Sequence, residues 1–335
     1  MMTPITDTFQ RPLRDLRISV TDRCNFRCVY CMPKEVFGTN YPFLKKEEQL
    51  TLEEWSRLVR VFASIGVQKV RITGGEPLLW SDLPSLISRI RHDTEIRDIS
   101  LTTNGVFLPK MVKQLKNAGL NRVNISLDAL DPKTFLKMNG GILNVHHVLD
   151  GIESAKDADL IVKVNMVVLK GVNEHEVLPM ASYFKDRGIT LRFIEFMDVG
   201  NTNDWTEGKV MSTTDIFKTI HQSMPLKPLE ASYFGEVAKR YQYVDSTAEV
   251  GFISSITNPF CTSCTRARIS SDGQLYTCLF ASKGVKMKEW LRSGISDEEL
   301  SSRVKAVWEK RADQYSNERN RIDKKAKIEM SYIGG

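Results

Sequence analysis

Histidine is scarce in this chain of 335 residues: there are five, and none follows His221. Cysteine is nearly as scarce. All six fall in two groups, Cys24, Cys28 and Cys31, then Cys261, Cys264 and Cys278, and none is left over. No apolar run approaches the roughly 18 residues a membrane span needs, so no membrane partner is expected. The opening residues MMTPITDTFQ carry no basic stretch ahead of an apolar one, which makes a cytoplasmic location the expectation. There is no repeat of solenoid period and no low-complexity tract. A basic helix-turn-helix and an arginine-rich recognition helix are also missing, so nucleic acid is not an expected partner. What remains is an ordinary folded composition, 41% hydrophobic and 26% charged with a formal net charge of +6. The length suits one large α/β domain plus an extension, or two ordinary domains. In a reducing compartment clustered cysteines point to metal or redox chemistry rather than to structural disulfides.

From the first cysteine group to about residue 197, β-branched segments alternate with helical patterns, the rhythm of repeated strand-helix units and a parallel sheet. The expected strands are Leu16 to Val20, Val67 to Thr73, Ile99 to Thr103, Arg122 to Leu127, Ile161 to Val168 and Leu191 to Phe196. Thr51 with Glu54 forms a capping box ahead of a helix that closes on Gly66; Asn144 to Ala158 and Glu174 to Arg187 show helical periodicity. Six such units make an incomplete (βα)6 TIM-like barrel. Parallel strands buried on both faces read as unbroken apolar runs, yet these alternate. Arg17 and Ser19, Lys69, Arg71 and Thr73, Ser100 and Thr102, Asn124, Ser126 and Asp128, and Lys163 and Asn165 interleave with apolar neighbours. One face is therefore expected to pack under helices while the other, polar and basic, lines a cavity; an open sheet with one wet face is the alternative. After Gly200 the rhythm changes to a helix near Ser212 to His221, several strands, the second cysteine group and a polar helix from Ser296 to about Arg311. We divide the chain into a barrel over 1–225 and an α+β extension over 226–335. The basic segment Arg319 to Lys327 reads as a solvated helix or linker.

The first cysteines are spaced C-x3-C-x2-C directly after the first strand, so three thiolates converge from one loop at the end where barrel sites assemble. Asp22, Arg23, Asn25 and Arg27 make that segment too polar for a core helix. The second group is spaced C-x2-C-x13-C, and Cys264 is followed at once by TRAR. Structural zinc asks for a fourth ligand, usually cysteine or histidine, and neither group has one nearby, although a remote ligand from elsewhere in the fold remains open. Thiolate triads suit iron-sulfur clusters, and a cubane held by three thiolates leaves one iron free to bind a small molecule.

C-x3-C-x2-C with Tyr30 before the third cysteine, followed by GGEP at Gly74 to Pro77, resembles the radical S-adenosylmethionine (SAM) superfamily. RDLRISVTDRCNFRCVYCMP, RITGGEPL, LTTNG, NISLDAL, KVNMVVLKGVN, RFIEFMDVG, FCTSCTRARISSDG, CLF and the terminal SYIGG together resemble the MoaA-type GTP 3′,8-cyclase family of molybdenum cofactor synthesis. The motifs run in order from residue 14 to residue 335; the stretches 201–250 and 283–328 match none. The resemblance implies two 4Fe-4S clusters. The one on Cys24, Cys28 and Cys31 would bind and cleave S-adenosyl-L-methionine, lined by Tyr30, Gly75, Ser126 and Met197, with the bare glycine backbone admitting the ligand's amino group. The other, on Cys261, Cys264 and Cys278, would hold the guanine of GTP. Arg17, Lys69, Arg71, Thr102, Lys163, Arg266, Ala267 and Arg268 would surround that nucleotide, with Arg17, Arg266 and Arg268 serving catalysis. Arg266 and Arg268, two apart, project to one side of a strand as planar donors for phosphate oxygens.

The implied reaction takes the ribose 3′ hydrogen, joins that carbon to C8 of the same guanine, and yields (8S)-3′,8-cyclo-7,8-dihydro-GTP. Implied partners are a low-potential electron donor and a downstream cyclic pyranopterin monophosphate synthase; a homodimer is a base-rate expectation. The Gly334-Gly335 tail reaches the site in the family, whereas the sequence alone favours a frayed terminus. A radical SAM maturase acting on a peptide, an iron-sulfur sensor and a zinc-stabilised binding module are the competing readings.

Overall fold

The computed structural model describes residues 5–319 and 327–334. Most of the basic segment 319–327, and Gly335, lie outside them. All six expected strands form: β1 Asp15–Ser19, β2 Lys69–Thr73, β3 Asp98–Thr103, β4 Arg122–Ser126, β5 Ile161–Val168 and β6 Thr190–Glu195. Each pairs in parallel with the next. Between them lie α1 Leu52–Ser64, α2 Leu83–Asp93, α3 Leu108–Asn117, α4 Pro132–Met138, α5 His146–Asp157 and α6 Val177–Asp186.

Helix α1 shows why the pattern folds this way. The Thr51 side chain accepts from Glu54 N–H while the Glu54 carboxylate takes Thr51 N–H, satisfying two orphan donors. Trp55, Leu58, Val59 and Phe62 then fall on one stripe and are fully or almost fully buried. Each such burial contributes about 1.5–3 kcal/mol. Gly66 follows at φ +106°, a turn that an L side chain would strain. The apolar residues of the strands, among them Ile18, Ile72, Leu101, Ile125, Val164 and Phe193, are buried in the same core.

After residue 200 the chain adds α7 Thr213–Ser223, β7 Leu226–Pro228, β8 Lys239–Tyr243, β9 Glu249–Ile253, β10 Arg266–Ile269, β11 Gln274–Tyr276, β12 Val285–Lys286, α8 Met287–Arg292 and α9 Asp297–Glu309. Its strands lengthen the barrel sheet at both edges. β10 joins β1 in parallel and β9 joins β6 in parallel, giving the order β12-β11-β10-β1-β2-β3-β4-β5-β6-β9-β8-β7. The barrel is incomplete, and the extension supplies the strands that flank its opening. Helix α9 is less polar than expected: Leu300, Val304 and Trp308 form a buried stripe. Among the described residues no helix is long and apolar enough to cross a membrane.

Candidate functional site

The first triad hangs from a loop that the barrel ends pin in place. Asp22 accepts from Leu44 N–H at 2.7 Å, and the Arg27 guanidinium donates to the carbonyls of Phe37, Cys24 and Phe26 at 2.6, 2.8 and 2.8 Å. Asn104, just past β3, donates to Asn25 beside Cys24 at 2.7 Å. The three thiols are partly buried, and burial pushes all of them up, Cys24 to about 12. Cys28 sits close enough to Cys24 and Cys31 that each thiolate disfavours the next.

The structure adds a packing reason for the glycines of the GGEP turn. A Cβ on Gly75 would lie 2.2 Å from the Arg23 carbonyl oxygen, and one on Gly74 would lie 2.4 Å from that of Thr21. The glycines therefore let the turn close onto the backbone that carries the cysteine loop, with Gly75 N–H donating to Thr21 C=O at 2.7 Å. Glu76 is buried. It accepts from Leu78 N–H, the Thr103 hydroxyl and Asn104 N–H at 3.0, 2.7 and 2.8 Å, which ties the end of β2 to the end of β3.

Because β10 runs parallel to β1, the cysteines before it lie at the opposite end of the barrel from the loop after β1. Cys261 and Cys264 precede β10, and Cys278 returns to that end after the antiparallel β11. Their loops are held from behind by a buried ion network. Asp7 pairs with Arg11 at 2.6 Å and with Arg311 at 3.0 Å, and none of the three is more than 4% exposed. Arg11 donates to Cys261 C=O at 2.7 Å, and Arg311 donates to the carbonyls of Cys264 and Thr277 at 2.8 and 3.1 Å. Burial would raise the Cys264 thiol, but Arg266 and Arg311 outweigh it and bring it down to about 6.

Among the described residues no three His, Cys, Asp or Glu side chains converge on a point where a single metal ion could sit. A lone zinc holds every sulfur at about 2.3 Å, whereas a cluster spreads its ligands over several irons. Two sets of grouped, partly buried thiols without a fourth protein ligand fit the second arrangement.

A cavity of about 410 Å³, within the usual range for ligand sites, runs between the two ends. Cys261, Cys264 and Cys278 line one end; Tyr30, Ser126 and Met197 line the other. Cys24, Cys28 and Cys31 stand behind Tyr30 and are not in its wall, and neither is Gly75. The Tyr30 hydroxyl donates to Asp128 at 3.0 Å, and Asp128 also accepts from Val167 N–H at 2.9 Å.

The basic face is as the alternation requires: Arg17, Lys69, Arg71, Thr102, Lys163, Arg266 and Arg268 all line the cavity. Strand register aligns them in rows. Arg17 on β1 is level with Arg71 on β2 and Arg268 on β10, and one step earlier Asp15 is level with Lys69 and Arg266. Burial and then mutual repulsion hold Arg17, Arg71 and Arg268 below the usual guanidinium range, the signature of cations gathered without their counter-charge. Ala267 points the other way into the apolar core, so within the RAR triplet it sets the spacing of its neighbours.

The sequence reading missed Arg122 and Arg192, which also line the cavity; the Arg192 guanidinium donates to Asn124 at 2.5 Å. Their in-facing strand parity could have found them. Arg11 and Arg311 carried no local signal, since each acts on cysteine loops some 47 to 250 residues away.

The C-terminal segment is no frayed end. Asp198 accepts from Lys327 and Tyr315 at 2.6 and 2.7 Å, and Glu329 accepts from Thr202 and from Asn201 N–H, both at 2.9 Å. Beyond that latch the chain enters the barrel, where Arg268 donates to Gly334 C=O. A Cβ on Gly334, at φ +72°, would lie 2.2 Å from the Thr73 methyl and 2.8 Å from the Ser19 hydroxyl.

A partial parallel barrel with a three-thiol loop behind its first strand defines the radical SAM superfamily, and the family description "Radical SAM superfamily" matches residues 18–184. "Molybdenum Cofactor Synthesis C" matches residues 189–317. The chain is 50% identical to the GTP 3′,8-cyclase of Staphylococcus aureus (strain bovine RF122 / ET3-1) and 49% identical to that of strain Newman, with 100% of both chains covered in each case. It belongs to the GTP 3′,8-cyclase family. Among solved structures, Streptococcus suis SuiB bound to precursor peptide SuiA superposes with a TM-score of 0.61 at 15% identity, over 93% of this chain and 67% of that one, a likeness of fold alone.

Proposed function

We infer that the chain is a GTP 3′,8-cyclase, a lyase that converts GTP to (8S)-3′,8-cyclo-7,8-dihydroguanosine 5′-triphosphate in the first step of molybdenum cofactor biosynthesis. The observation that carries this reading is the pair of thiol triads at opposite ends of one barrel, with rows of guanidinium groups along the cavity between. Cys24, Cys28 and Cys31 would hold one 4Fe-4S cluster, and Cys261, Cys264 and Cys278 would hold a second. The first would supply the electron for reductive cleavage of S-adenosyl-L-methionine.

The protein's own residues do the positioning. Tyr30, Ser126 and Met197 flank the cosubstrate, and Gly75 supports its loop from behind. Arg17, Lys69, Arg71, Thr102, Lys163, Arg266 and Arg268 take the triphosphate, with Arg122 and Arg192 added to that set. Orienting two bound molecules within one cavity replaces a bimolecular encounter and limits water at a reactive carbon centre. Arg17, Arg266 and Arg268 sit where the nucleotide must lie and hold the sugar at a fixed distance from the cosubstrate. The barrel through residue 225 carries the cosubstrate site and most of the basic residues for the triphosphate, and the extension over 226–335 adds Arg266, Arg268 and the second cysteine triad. A cytoplasmic setting, a low-potential electron donor, a cyclic pyranopterin monophosphate synthase downstream and a homodimer complete the proposal.

Anaerobic reconstitution with iron and sulfide, followed by incubation with S-adenosylmethionine, GTP and a low-potential reductant, tests it by mass analysis. Cys24→Ala should abolish 5′-deoxyadenosine formation, and Arg266→Ala should spare uncoupled cleavage while weakening GTP binding. If the wild type makes 5′-deoxyadenosine but no cyclised nucleotide, the substrate assignment is wrong.

A further inference from the structure

Two carboxylates line the cavity among the described residues, Glu236 and Asp313. Asp313 is engaged beside the second triad, accepting from the Thr277 hydroxyl at 2.5 Å. Glu236 sits in the basic half, on a strap between β7 and β8 that covers the end of the barrel where the strands begin. Tyr233 on the same strap lies over Lys69, its ring centroid 4.6 Å from the ammonium and its hydroxyl accepting at 3.1 Å. At Gly235 the strap passes so close to the second cysteine loop that a Cβ would lie 2.9 Å from Ser263 C=O.

Glu236 is only 10% exposed and pairs with Arg240 at 3.1 Å, its other anchor being Ser232 N–H at 2.7 Å. Arg240 already has a partner in Glu249 at 3.2 Å, so a second carboxylate is not needed to neutralise it. Lys163 and Arg192 share the cavity wall with Glu236, and the Arg192 stem packs where the strap rejoins the sheet, beside Ala238 and Gly251. Burial lowers both cations, and Glu236 is among the charges that oppose this.

We propose that Glu236 is the internal occupant of the triphosphate subsite: a carboxylate, carried on the strap, that stands in for a phosphate among Lys163, Arg192 and Arg240 and must yield to one. It neutralises a basic pocket that would otherwise be held open by its own repulsion. It also taxes every anion that enters, so weakly charged ones such as inorganic phosphate are kept out, and it returns as the triphosphate product leaves. This rests on the nucleotide reading above.

The test measures binding of GTP, inorganic tripolyphosphate and guanosine to the reconstituted protein, wild type against Glu236→Gln, Glu236→Ala and Glu236→Asp. Glu236→Gln and Glu236→Ala should both bind GTP and tripolyphosphate about tenfold tighter, through slower release, with guanosine unchanged. Glu236→Asp, which keeps the charge, should bind as the wild type does. If the wild type binds GTP and the two neutral variants bind it equally or more weakly while melting at the wild-type temperature, Glu236 is not a stand-in. A wild type that binds neither GTP nor tripolyphosphate overturns the nucleotide reading and this proposal together.

Discussion

Lys163 illustrates how a single side chain inherits its behaviour from its surroundings. Burial first, then Arg192 and Arg122, bring its ammonium down to about 8. A lysine with a lowered value is charged below that pH and neutral above it, and on the proposed function triphosphate binding needs the charge. GTP affinity should therefore fall as pH rises through about 8, and a titration of Kd against pH would show it. Lys163→Met should bind about tenfold more weakly at neutral pH and lose that dependence. A wild-type affinity that stays flat from pH 7 to 9 would remove Lys163 from the phosphate set. At this same scale Gly75 carries a constraint that its motif does not display: the Arg23 carbonyl behind it leaves no room for a Cβ, a backbone contact without a linear pattern.

At the scale of elements, the network of Asp7, Arg11 and Arg311 makes a second prediction. Removing the carboxylate leaves the Arg11 guanidinium buried without a carboxylate and Arg311 with only the longer contact to Asp313 at 3.6 Å, at a cost of about 3–5 kcal/mol. Asp7→Asn should lower the melting temperature and, because Arg11 and Arg311 hold the backbone of Cys261 and Cys264, release the second cluster ahead of the first. Iron analysis of the anaerobically reconstituted variant should find about half the wild-type content; full content would show that the loops hold their shape unaided. The six barrel strands were legible in the sequence because their polar and apolar residues alternate while the helices between them keep a different period. Helices α2, α3 and α4 were not assigned. Each has proline in its first turn, at Pro84, Pro109 and Pro132, a residue that reads as a break but fits the helix start, where no N–H partner is needed. The edge pairings of β9 and β10 were illegible too, since register between segments so distant in sequence leaves no local period.

For the whole molecule, the decisive fact is that a chain of ordinary parallel units ends by passing strands to both sides of its own opening. Barrel enzymes assemble their chemistry at one end. Here the parallel β10 brings a second thiol set to the other, and the tail latched by Asp198 and Glu329 dips back toward the first. Gly334→Ala should be unable to seat between Ser19 and Thr73. Cyclisation should drop at least tenfold with the melting temperature unchanged, and protease should clip the C-terminus faster than in the wild type. Retention of full turnover would mean that the seated tail is dispensable.

The ion network behind the second triad also sets an order of assembly. Cys24, Cys28 and Cys31 belong to one short loop and need only the barrel that follows them. Cys261 and Cys264 take their shape from Arg11 near the start of the chain and Arg311 near its finish, joined through Asp7. On the proposed cluster assignment, the second centre would therefore take shape only once nearly the whole polypeptide exists, because its loops depend on residues near both ends of the chain.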